Sequence, residues 1–267
     1  MSVTVFRHTG RQYLLRLLIV LAALTGWGML MPIVYATFGV QMQDIVRQFP
    51  ALQQFMRFGG GDMFTLSGSI AVGYIHPITI ALLAVFAIAF PLSGIAGERQ
   101  HGTLEIVLSR PVSRRSYYAT LLVAAIVFIG LAMAAMLIGT VIAAAAEDLL
   151  AQLNLGNMLF LWLNGVLLYF AIAAIAFAAS VTFDRVGPAA GIVLAIVLVA
   201  YFLQILGSLW PDAAWLQPYS LFYYLQPDLV LREGLQVFDA ALLLVVGAGA
   251  VVYALIVFPR RDLAAPA

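Results

Sequence analysis

The chain has 267 residues, of which 64% are hydrophobic and only 9% charged, far below the roughly 25% charged content of soluble domains. All 13 basic side chains are arginine, set against 12 acidic ones for a net charge of +1, so no lysine is present to hold nucleotide phosphates in a Walker loop or to form a pyridoxal Schiff base. With no cysteine in the chain, disulfides, thiolate nucleophiles and thiolate metal sites are excluded as well.

The apolar residues run in six stretches that meet the length of about 20 residues a transmembrane helix needs. Arg7, Arg11 and Arg16 lead into the first, over 14–38. Its apolar run exceeds a signal peptide's core and no small-residue cleavage pattern follows, so it is expected to be retained. Over 41–58, Met42, Ile45, Val46, Phe49, Leu52 and Met56 recur at helical spacing, which predicts an amphipathic helix ended by Gly59, Gly60 and Gly61. The second span, 70–95, carries His76 beside Pro77, the clearest ionisable group at span depth. A structural role is expected for it, because a nucleophile pair with Ser67 or Ser69 lacks an orienting acid.

The third, fourth and fifth spans follow over 117–146, 157–182 and 187–210. Between the last two, Thr182 to Pro188 reads as a tight turn, with a second partner contact as the alternative. Asn157, Asn164 and Gln204 are expected to hydrogen-bond between helices. An aromatic stretch from Trp210 to Phe238 suits an interfacial or re-entrant structure ahead of the sixth span, 239–258. So few ionisable groups at depth argue against a pump driven by protons or ions.

The positive-inside rule sets the orientation. Placing both termini in the cytoplasm puts Arg7, Arg11, Arg16, Arg99, Arg110, Arg114, Arg115, Arg185, Arg260 and Arg261 inside and leaves only Arg47, Arg57 and Arg232 outside. The chain thus reads as one all-α integral membrane domain over 1–267, with six transmembrane helices and both termini cytoplasmic.

The loop between the second and third spans, Gly97 to Arg115, is the most charged stretch. Gly102 permits a turn, Thr103 is placed to cap a short helix, Leu104, Val107 and Leu108 form an apolar stripe, and Pro111 stops it. Ser113 then caps the third span, with Arg114 and Arg115 at the headgroup boundary, so the short helix is held between two membrane helices.

The run Glu98-x-x-x-Gly102-Thr103-Leu104-Glu105-x-x-Leu108-Ser109-x-Pro111-Val112-Ser113-Arg114 closely resembles the signature loop of ABC-2 type transport permeases. Phe6-Arg7-His8-Thr9 is similar to the family's amphipathic leading segment, though with Gly10 and Gln12 where more basic residues are usual. Phe222-Tyr223-Tyr224 through Leu231-Arg232-x-Gly234-Leu235, and Phe258-Pro259-Arg260-Arg261-Asp262-Leu263, resemble its outer segment and its C-terminal ending, so the likeness covers essentially the whole chain. The best-matched subgroup contains bacterial exporters of antibiotics and other hydrophobic compounds.

The resemblance implies a permease subunit in a bacterial inner membrane, paired with a second permease copy, identical or related, and with two ABC ATPase subunits. ATP and Mg would be bound by those partners; no cofactor is expected on this chain, and no nucleic acid. The 103–109 segment would be a coupling helix seated in the ATPase, with docking roles for Glu98, Arg99, Gly102, Thr103, Leu104, Glu105, Leu108, Arg110 and Pro111. Glu98 and Glu105 would make polar contacts, and Leu104 and Leu108 would fill an apolar cleft. The alternative is a noncatalytic membrane scaffold or sensor that uses the same loop to hold a cytoplasmic partner; an intramembrane enzyme built on His76 is a more remote one.

Overall fold

The computed structural model describes residues 3–39, 64–109 and 112–261; the helix expected over 41–58 lies outside them. Among the described residues the chain is helical without a strand. Six helices are long and apolar enough to cross a membrane: Val3–Gly39, Pro77–Gln100, Arg114–Ala146, Leu155–Thr182, Val186–Leu209 and Val237–Arg260. This is the six-span, all-α membrane fold that the apolar runs predict, with differences at the starts of the first two spans.

The first span begins at Val3 and runs for 37 residues, about 55 Å at 1.5 Å per residue. A bilayer core is about 30 Å thick, so the leading turns project beyond it. The amphipathic segment expected at Phe6–Thr9 is therefore an extension of the first span and not a separate element. Gly10 is tolerated inside the helix, and no proline precedes Pro32.

The second span is broken where the sequence reading ran through. Thr65 caps a helix over Leu66–Ile75 by accepting from the Gly68 N–H at 3.0 Å. That helix stops at His76, whose ψ is 143°, because the following proline disfavours helical backbone before it and has no N–H to continue the ladder. Pro77 instead starts the crossing helix, with His76 Nδ1 accepting from the Ile78 N–H at 3.3 Å. The His76 ring lies 4.7 Å from that of Trp27. Ser69 Oγ donates to the Met31 carbonyl at 2.9 Å, and Ser67 pairs with Thr65 at 3.4 Å, so these hydroxyls are committed away from the imidazole.

Further along the same span, wide turns occur over Val85–Ala89 and Ser93–Gly97. Pro91 sits between them, with no N–H to give and a ring that crowds the carbonyl four residues back. The fourth span compensates: Ser180 Oγ accepts the Ala96 N–H at 2.9 Å and donates to the Pro91 carbonyl at 3.0 Å. Backbone groups of this wide turn thereby gain a partner from a neighbouring span, as buried backbone favours.

Spans one and three share the closest packing, with Gly28 facing Met136 and Gly139 facing Thr25. Thr140 Oγ1 donates to the Gly28 carbonyl at 3.2 Å across this contact. Between the fifth and sixth spans, short turns over Pro211–Tyr219 and Leu221–Leu225 lead to a helix over Pro227–Glu233. Asn164 Nδ2 donates to the Tyr224 and Leu225 carbonyls, both at 2.9 Å, and Asn157 Nδ2 to the Leu231 carbonyl at 3.0 Å. The two asparagines make the inter-element bonds expected of them and hold this hairpin in place. Phe222, Leu225 and Val230 are buried within it while Trp210, Trp215 and Tyr219 remain exposed, which combines a tucked plug with an aromatic fringe.

Candidate functional site

The end of the molecule opposite that hairpin gathers the loop between spans two and three, the turn between spans four and five, and the last turn of span six. Gly102 has φ 71°, a left-handed conformation that a side chain disfavours, and it reverses the chain between Glu98–Gln100 and a helix over Thr103–Leu108. Gly102, and not Thr103, occupies the capping position. Thr103 Oγ1 donates instead to the Glu98 carbonyl at 3.1 Å and to the Glu98 carboxylate, and His101 Nδ1 donates to the Gly97 carbonyl at 2.7 Å. The turn is thus fixed by its own side chains.

Two residues expected at a docking surface point inward. Leu104 has no exposed area and belongs to the apolar core, and the Arg99 side chain is likewise fully enclosed. The burial of Leu104 follows from its place at the first turn, where it packs beneath the helix. Among the described side chains of the loop, the exposed large apolar one is Ile106, at 68%, beside the exposed Glu105; Leu108 is half-buried. Arg110 and Pro111 lie outside the described residues. Ser113 caps the third span as the sequence predicts, accepting from the Ser116 N–H at 3.2 Å.

Arg99 reaches sideways into the turn between spans four and five. Its Nη1 donates to the Phe183 carbonyl at 3.3 Å and to Asp184 Oδ1 at 3.2 Å, while Asp184 also pairs with Arg261. Gln100 Oε1 accepts the Val186 N–H at 3.0 Å, capping the fifth span. Arg114 Nη1 donates to the Pro259 carbonyl at 3.1 Å and the Arg261 carbonyl at 2.6 Å. The Thr182–Pro188 turn is therefore more than a connector: it clasps the base of the loop. The pairing of Asp184 with Arg99 and Arg261, and of Gln100 with Val186, is not legible in the local sequence. The available signal was Asp184 itself, a carboxylate in a two-residue charged turn on an arginine-rich face.

Beside the loop lies a cavity of about 520 Å³, walled by the leading turns of span one, the end of span two, Ile106 and Val112 of the loop, and the start of span three. Tyr13 and Tyr117 flank it, with their hydroxyls paired to Ser93 Oγ and the Gly94 carbonyl, both at 2.8 Å.

A family model described as ABC-2 family transporter protein matches residues 6–263, nearly the whole chain. No curated protein matches it at a significant level.

Proposed function

The chain belongs to the ABC-2 family of transporter proteins, and from that premise we propose that it is the permease subunit of an ATP-driven exporter in a bacterial inner membrane. Membership makes it a membrane transport component working with ABC ATPase subunits. The finer reading is that two such ATPases bind ATP and Mg, that two permease copies line a pathway for a hydrophobic substrate, and that both termini are cytoplasmic. A chain without lysine has no Walker loop of its own, so hydrolysis belongs to the partner.

The observation that carries this reading is the mounting of the 103–108 helix. Its outer face offers Glu105 and Ile106, while beneath it Leu104 is buried and Arg99 is fastened to the turn between spans four and five. Ser113 and Arg114 tie the other end of the loop to span three and to the end of span six. Closure of the ATPase pair on ATP pushes this helix, and the push reaches spans two and three directly and spans four, five and six through Arg99, Asp184 and Arg261. The permease contributes conformational coupling and no bond chemistry. In this arrangement Glu105 and Ile106 contact the ATPase, and Glu98 stiffens the turn through Thr103.

Purification of the tagged chain in mild detergent from its native membrane is expected to recover an ABC ATPase with measurable hydrolysis. The Glu105→Arg, Ile106→Asp double variant is expected to lose at least about tenfold of that recovery, since reversing a charge and desolvating a new carboxylate at one interface together exceed 1.4 kcal/mol. Equal recovery with both proteins, each folded by gel filtration, would remove the docking assignment. Recovery of the ATPase without any substrate-dependent change in its hydrolysis would favour the scaffold alternative.

A further inference from the structure

We infer that the cavity beside the loop binds an amphipathic cation at the arginine-rich end of the bundle. Its volume of about 520 Å³ falls in the range of roughly 300–1,000 Å³ typical of sites for drug-sized ligands. Phe90, Leu121 and Val112 supply apolar surface, and the rings of Tyr13 and Tyr117 stand beside them. Because both tyrosine hydroxyls are already paired within the protein, these two residues offer a ligand their ring faces. The polar lining is Thr4, His8, Thr9, Gln12, Ser93 and Glu98, of which Glu98 is the carboxylate.

The sign of the ligand's charge follows from which groups line the cavity and which do not. This end of the molecule is rich in arginine, yet among the described residues no arginine lines the cavity, and Glu98 is the carboxylate that does. Arg99 is drawn to Asp184 and Phe183, Arg261 to Asp184, and Arg114 to the carbonyls of the last turn of span six. Arg16, which lies over the Tyr13 ring with 5.0 Å to its centroid, is not a lining residue. His8 is the remaining ionisable group besides the tyrosines. A cation therefore meets the Glu98 carboxylate and the Tyr117 ring, which attracts it further through its quadrupole, whereas an anion meets repulsion from Glu98.

The cavity also runs from the apolar interior of the spans toward their charged ends. Its deeper residues, Phe90 and Leu121, lie well inside spans two and three, while His8 and Glu98 are at the ends of their helices. A molecule with an apolar body and a charged head matches that gradient. This inference rests on the permease reading for its purpose, as a place where substrate is taken up from the inner leaflet, but binding itself needs no ATPase.

The test compares tetraphenylphosphonium with tetraphenylborate, ions of nearly one shape and opposite charge, binding to the purified full-length chain in detergent. Tetraphenylphosphonium is expected to bind at least tenfold more tightly. Glu98→Gln, which retains an acceptor for Thr103, is expected to weaken tetraphenylphosphonium about tenfold and to leave tetraphenylborate unchanged. Val112→Trp, which fills the cavity without altering charge, is expected to weaken tetraphenylphosphonium. Equal affinity for the two ions, or tetraphenylphosphonium binding unaffected by Val112→Trp, would overturn the proposal. ATPase recovery is read on separate samples through Glu105→Arg alone, because Ile106 also lines the cavity, so cation binding without ATPase recovery breaks the permease reading alone, and the reverse result breaks this one alone.

Discussion

Gly139→Val is expected to leave little folded protein, because spans one and three touch backbone to backbone at that position. A Cβ built on Gly139 would sit 2.1 Å from the Thr25 carbonyl oxygen, and one on Gly28 would sit 2.2 Å from that of Met136. Neither neighbour is a flexible side-chain end, so the helices themselves must part. Separation loosens the buried Leu24 and Ala132 and the Thr140 hydrogen bond to Gly28. The cost belongs at or above the upper end of core overpacking, about 3 kcal/mol, a large part of a marginal stability. Gly26→Ala is the matched control, since nothing lies within 4 Å of its Cβ position. Thermal unfolding in detergent, followed by gel filtration, should show a lowered midpoint and aggregation for Gly139→Val and native behaviour for Gly26→Ala. Retention of the native midpoint by Gly139→Val would mean that the two spans do not meet at these glycines.

The second large effect is an asymmetry between the partners of the Arg99 clasp. Asp184→Asn leaves a fully enclosed guanidinium without its counter-charge, whereas Arg99→Met leaves an aspartate that is 55% exposed and still paired with Arg261. Stranding a buried charge costs about 3–5 kcal/mol, a cost that Arg99→Met avoids because the aspartate it leaves is solvated and keeps Arg261. Asp184→Asn is therefore expected to unfold at lower temperature than Arg99→Met. Arg99→Met should remain folded and still recover the ATPase, yet lose most of the substrate-stimulated hydrolysis, because the loop is no longer fastened to the turn between spans four and five. Equal stability of the two variants would contradict the burial argument. Full stimulation in Arg99→Met would contradict the relay.

Both results turn on features that the sequence reveals unevenly. The six spans are legible because bilayer thickness imposes long apolar runs, and the third span's start is legible because Ser113 has a side chain made for capping. The break at His76 was signalled by Pro77, but the apolar residues on both sides hid it within one hydrophobic stretch. Gly28 and Gly139 lie among many small residues, and only the crossing of two helices distinguishes them from Gly26, which faces open space. The loop's shape was largely readable, through Gly102 and the 103–108 stripe. Which face it shows was not: Leu104 turns inward and Ile106 outward, since the burial of the stripe is decided by helices remote in sequence. Asp184 and Ser180 act on Arg99 and on the backbone around Pro91 across more than eighty residues, a separation at which local patterns carry no information.

The central claim is that a separate ATPase seats on the 103–108 helix, and a photocross-linking amino acid at Ile106 tests it most directly. In native membranes, irradiation is expected to join the chain to an ABC ATPase, with the adduct lost when Glu105 is also replaced by arginine. A folded, membrane-inserted chain that cross-links at Ile106 only to lipid, or to a protein without ATPase activity, would contradict the account.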